Sequence, residues 1–117
     1  MLEKPDLPDH PSLISSTKFR DESGLSSQAL DKALLAKRLF AVELHGREYI
    51  PGFFLDRRYD RRQMASVCML LGDLPAGSKL QFFMTPKGSL AGQTPLDALA
   101  DRKFAAVRRT AQGFAER

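Results

Sequence analysis

Chemistry begins with side chains that ligate, titrate or attack, and the sequence uses few of them: two histidines, His10 and His45, and one cysteine, Cys68. A disulfide takes two cysteines and a closed structural zinc site takes about four Cys or His ligands, so neither is available within one chain. His10 stands in a proline-rich stretch and His45 beside a glycine, both settings in which an imidazole is an ordinary surface group. Cys68 recurs in phase with Met64, Val67 and Leu71, which places it on the apolar side of a helix as a small hydrophobe. No glycine-rich phosphate loop, Gly-x-Ser-x-Gly elbow or paired-histidine motif occurs. The expectation is a non-enzymatic protein with no catalytic residues, no metal and no cofactor.

What remains is ionic chemistry. Eighteen Lys plus Arg against 14 Asp plus Glu leave a net charge of +4 on 117 residues, a mild basicity compatible with nucleic acid without requiring it. The excess is local. Asp56-Arg57-Arg58-Tyr59-Asp60-Arg61-Arg62 is a knot of four arginines and two aspartates, and Arg102, Lys103, Arg108, Arg109 and Arg117 face the single acid Glu116. Residues 15–49, by contrast, hold six cations and five acids.

These residues need elements to position them. A composition 43% hydrophobic and 27% charged is that of a globular domain, and the length suits one compact unit. No run approaches the roughly 18 to 20 apolar residues of a membrane helix, and Glu3, Asp6 and Asp9 stand where a signal peptide is basic, so a reduced, cytoplasmic protein with no membrane association is expected. Pro5, Pro8 and Pro11 make residues 1–14 an extended arm. A short helix follows from Ser15 to Glu22, stopped at Gly24, and Ser26 caps a second helix from Ser27 to about Leu39. Ala29, Leu30, Ala33 and Leu34 share its packing side, while Ser27, Gln28, Asp31, Lys32 and Arg38 lie opposite with Leu35 among them.

Phe40 to Leu44 and Arg47 to Pro51 alternate around His45-Gly46, the pattern of a tight β-hairpin, with Pro51 ending the second strand or leaving it at an edge. The arginine knot leads into the amphipathic helix containing Cys68, broken by Gly72 to Gly77; Leu80 to Met84 is a short apolar segment and residues 85–93 form a loop. Thr94 and Pro95 start a helix over Leu96 to Ala100, and a final helix from about Lys103 to Glu116 groups Phe104, Val107, Ala111 and Phe114 on one face. The fold class is therefore mainly α with a small β-hairpin.

Two short helices at a glycine turn followed by a hairpin form the layout of a winged helix-turn-helix. Gly24-Leu25-Ser26-Ser27-Gln28-Ala29-Leu30 with Leu39-Phe40-Ala41-Val42 resembles the compact winged modules of excisionase-like regulators. That resemblance implies double-stranded DNA as a partner, with Ser26, Ser27, Gln28 and Lys32 in the major groove and Arg38 and Arg47 on phosphates. Further on, Leu90-Ala91-Gly92-Gln93-Thr94-Pro95-Leu96-Asp97-Ala98-Leu99 is similar to the Leu-x-Gly-x-Thr-Pro-Leu-Asp-x-Leu signature of the Xre/MbcA/ParS-like toxin-binding domain of bacterial antitoxins. Phe82 and Phe83 stand where that family often carries a Trp, and Pro86-Lys87 where it carries Pro-Asn. The resemblance implies an antitoxin-like regulator of a toxin–antitoxin system, partnered by a toxin such as one of the RES class.

Residues 15–55 thus read as a winged helix-turn-helix-like module and residues 56–117 as a helical bundle-like, partner-binding region. Leu35, Arg57, Arg58, Arg61, Arg62, Gly92, Thr94, Arg108 and Arg109 are the partner-contact candidates, with Gly92 allowing a close approach. A homodimer would double the basic footprint. The alternative from another class is a protein-interaction adaptor that never touches DNA, which an exposed Leu35 favours.

Overall fold

The computed structural model describes residues 13–116, and the expectations placed on residues 1–12, His10 and Arg117 lie outside them. Six α-helices and a small three-stranded antiparallel sheet make up the described chain. Strand β1, Leu13–Ser15, opens it, so residues 13 and 14 belong to the sheet and not to an arm. Helix α1, Ser16–Ser23, begins where the Ser15 hydroxyl accepts the Lys18 amide at 3.1 Å, and ends at Gly24, whose φ of 80° is the left-handed geometry that L side chains resist. Helix α2, Ser27–Leu35, is capped by Ser26, which accepts the Ala29 amide at 3.0 Å.

The second helix is about one turn shorter than the expected Leu39. Lys37 takes a φ of 64°, and the Arg38 amide donates back to the Ala33 carbonyl, closing the helix before the apolar Leu39 and Phe40. Lys37 is then held by Asp73 at 2.8 Å.

Strands β2, Val42–Leu44, and β3, Arg47–Pro51, form the expected hairpin around His45 and Gly46, both at positive φ as a two-residue turn requires. The sheet order is β1-β3-β2, so β3 is central. Pro51 is its last residue, opposite Leu13, where a missing amide costs least, and it is not on an edge strand. A 3₁₀ turn, Gly52–Leu55, leads to helix α3, Arg61–Leu71, capped by Asp60 on the Gln63 amide at 3.0 Å.

Helix α4 spans Ala76–Met84, so Leu80 to Met84 is the second half of a helix, and Gly77 lies inside that helix instead of breaking the chain. A 3₁₀ turn at Gly88–Leu90 precedes helix α5, Pro95–Ala100, and helix α6 covers Phe104–Ala115.

One hydrophobic cluster joins all of this. It runs from Phe19 and Leu30 through Ile50, Phe53 and Phe54 to Val67, Phe82, Phe83, Leu99 and Val107. Phe40, Phe53, Phe54 and Phe83 meet with ring centroids 4.9 to 6.4 Å apart, mostly tilted or edge-on, each such pair adding about 0.5–1.5 kcal/mol beyond its area. Residues before and after position 55 therefore share a core. No helix of the described residues is long and apolar enough to cross a membrane.

Candidate functional site

Helix α2 presents what its wheel requires. Leu30 and Ala33 are buried, which turns Ser27, Gln28 and Lys32 outward, and all three are exposed. Ser26 is exposed too, but its hydroxyl is already bonded to the Ala29 amide. Arg47 is exposed at the hairpin, beyond a cross-strand pair of like charges, Glu43 opposite Glu48.

The arginine knot divides. Arg58 is tied to Asp56, its Nη2 at 2.9 Å from Oδ2 and its Nε shared between both carboxylate oxygens, and its guanidinium lies 5.3 Å from the Tyr59 ring. The guanidinium holds the Asp56 carboxyl below its ordinary range. Arg57 and Arg58 line an open hollow of about 570 Å³ with Leu99 and Arg102. Arg61 lines a second hollow with Glu22, Asp56 and Arg57, and Arg61 and Arg62 both open α3. They join Lys32 and Arg38 around a groove of about 400 Å³ whose accessible apolar floor is the half-buried Leu25, Ala29, Leu39, Leu55 and Ala65, with Phe19 and Phe54 buried among them.

The fold thus brings together two residues expected on DNA and two expected on a protein partner. No carboxylate lines this groove. The groove itself was not legible in the sequence; its only sequence signal is the alanine spacing Ala29, Ala33 and Ala65, short side chains that leave space between helices. Leu35, 82% exposed, and Arg108 and Arg109, exposed on α6, lie outside it.

The Gly92 loop is built locally. Gly92 has a φ of 85°, and a Cβ there would meet nothing within 4 Å. Within the chain its requirement is backbone conformation, because no neighbouring atom crowds the position. Thr94 accepts the Asp97 amide at 3.0 Å and so caps α5, while Gln93 bridges Asp101 at 2.8 Å and Lys103 at 2.9 Å. Lys87 bonds through its backbone to Gly92 and Gln93, and its ammonium sits 4.7 Å from the Phe114 ring and 5.1 Å from that of Phe82. Ser89 and Thr110 hydroxyls are 2.7 Å apart. These contacts clasp the loop to α5 and α6.

Burial pushes the Cys68 thiol up to about 12, so it stays protonated at neutral pH. Its neighbour Lys79 is the buried charged residue among those described, with its ammonium 5.9 Å from the Phe40 ring, and burial lowers its pKa. Among the described residues, no three His, Cys, Asp or Glu are grouped to hold a metal ion. Compared with protein-family models, curated proteins and solved structures, the chain matches none.

Proposed function

We propose that the protein is a non-enzymatic, antitoxin-like DNA-binding transcriptional regulator acting in the cytoplasm. The observation that carries this reading is the order β1, α1, glycine turn, α2 and hairpin, with Ser27, Gln28 and Lys32 exposed at the start of α2. A winged helix-turn-helix uses those features to set the second helix in the major groove, with the hairpin tip at Arg47 beside the backbone. Lys32, Arg38 and Arg47 neutralise phosphates, and a homodimer doubles their number. The Leu90 to Leu99 stretch supports a toxin-like protein partner for the C-terminal helices.

The test is a titration of labelled duplex fragments, including the DNA upstream of the protein's own reading frame, at two salt concentrations. Binding that falls steeply with salt and weakens in Lys32→Ala and Arg47→Ala supports the reading; no binding at low salt removes it. The second reading, an adaptor that binds only protein, is favoured by Leu35, since an apolar side chain 82% exposed on a nine-residue helix contributes nothing to the core.

A further inference from the structure

Four cations surround an apolar floor in the groove between α1, α2 and α3. Lys32, Arg38, Arg61 and Arg62 make no ion pair and no side-chain hydrogen bond among the described residues, and no acid lines the groove with them, Glu22 and Asp56 lining an adjoining hollow beside Arg61. Two of these cations also stand where a helix disfavours them. Arg61 and Arg62 are the first residues of α3, whose first turn holds no acid, and cations there oppose the helix dipole. The fold tolerates that cost and gains no ion pair or side-chain hydrogen bond from either guanidinium among the described residues.

The groove's chemistry selects its occupant. A hydrated polyanion leaves the apolar floor unused, and a nucleic-acid single strand needs exposed aromatic faces, whereas Phe19 and Phe54 are buried. A single-headed amphiphile matches one cation of four. A segment with an apolar stripe flanked by carboxylates matches both, and the volume of about 400 Å³ lies within the range of ligand-sized clefts. We infer that this groove docks an acidic amphipathic helix of a partner protein, its apolar residues on the floor and its carboxylates on Lys32, Arg38, Arg61 and Arg62. The inference goes beyond the regulatory reading and needs no DNA contact. Where both hold, the partner helix and the duplex compete for Lys32 and Arg38.

The full chain is titrated, without DNA, into a labelled synthetic helix bearing leucines at i, i+3, i+4 and i+7 between glutamates, followed by anisotropy. The expected result is binding that weakens at least tenfold in the R61E/R62E variant, is retained in R102E/K103E, whose exposed side chains lie outside the groove, and is lost when serines replace the leucines at equal charge. Glutamate suits the first turn of α3, so R61E/R62E keeps its fold, which circular dichroism verifies. No binding of the parent helix overturns the inference, as does equal binding of the serine peptide or an unchanged affinity in R61E/R62E. A peptide of residues 1–12 that binds as tightly as the designed helix overturns the assignment to a partner protein. Loss of DNA binding in the earlier titration leaves all of these results standing.

Discussion

Lys79 is a long cationic side chain on a helix that otherwise turns Phe82 and Phe83 inward, and only 7% of its surface remains exposed. Burial, foremost, holds its pKa below the ordinary lysine value. The folded state therefore releases this proton at lower pH than the unfolded chain does. Stability is penalised in full below the folded pKa, rises with pH between the two values, and levels above the unfolded value of about 10.4. Lys79→Met keeps the stem, removes the ammonium and forfeits a weak contact with the Phe40 ring. It is expected to raise stability at neutral pH by about 1 kcal/mol and to flatten the rise toward alkaline pH, both read from urea denaturation. An unchanged pH profile would show that this ammonium is solvated. At this scale the sequence was informative about Cys68, whose helical phase with Met64, Val67 and Leu71 announced its burial, and silent about Lys79, since a lysine's ordinary place is the surface.

The elements are short, which makes their ends decisive. Helix α5 has six residues, too few to stand alone, and its Thr94 cap satisfies the Asp97 amide. Thr94→Ala is expected to cost about 1 kcal/mol and Thr94→Ser much less, measured by the thermal midpoint. The caps at Ser26 and Thr94 and the turn at Gly24 could be read from the sequence because each acts over three or four residues, whereas the Asp60 cap was masked by the arginines around it. Strand β1 could not, because its partner Pro51 is far along the chain and three residues carry no periodicity. The first half of α4 was hidden by Gly77, a residue that lowers helix propensity by about 1 kcal/mol and that packing of Phe82 and Phe83 overrides.

At the scale of the molecule, Phe83 touches Phe40, Phe53 and Phe54 from the first half of the chain and Phe82 from its own helix, and is fully buried. Phe83→Ala is expected to cost about 3–5 kcal/mol and to lower one shared transition. Far-UV circular dichroism and hydrogen exchange at Ile50 should report the same loss; a β-sheet that keeps its protection while the helices melt would divide the core. Taken by itself, the sequence determined the mainly helical class, the hairpin and the buried faces of α2, α3 and α6, because caps, turns and helical phase are properties of neighbours in the chain. It also showed where the basic excess lies. Tertiary structure decided where the rest of that excess goes: Arg58 closes locally on Asp56, while Arg61 and Arg62 join Lys32 and Arg38, some twenty to thirty residues away, around one apolar groove. The direction of a surface arginine depends on how two helices pack, and packing is set by the whole core at once.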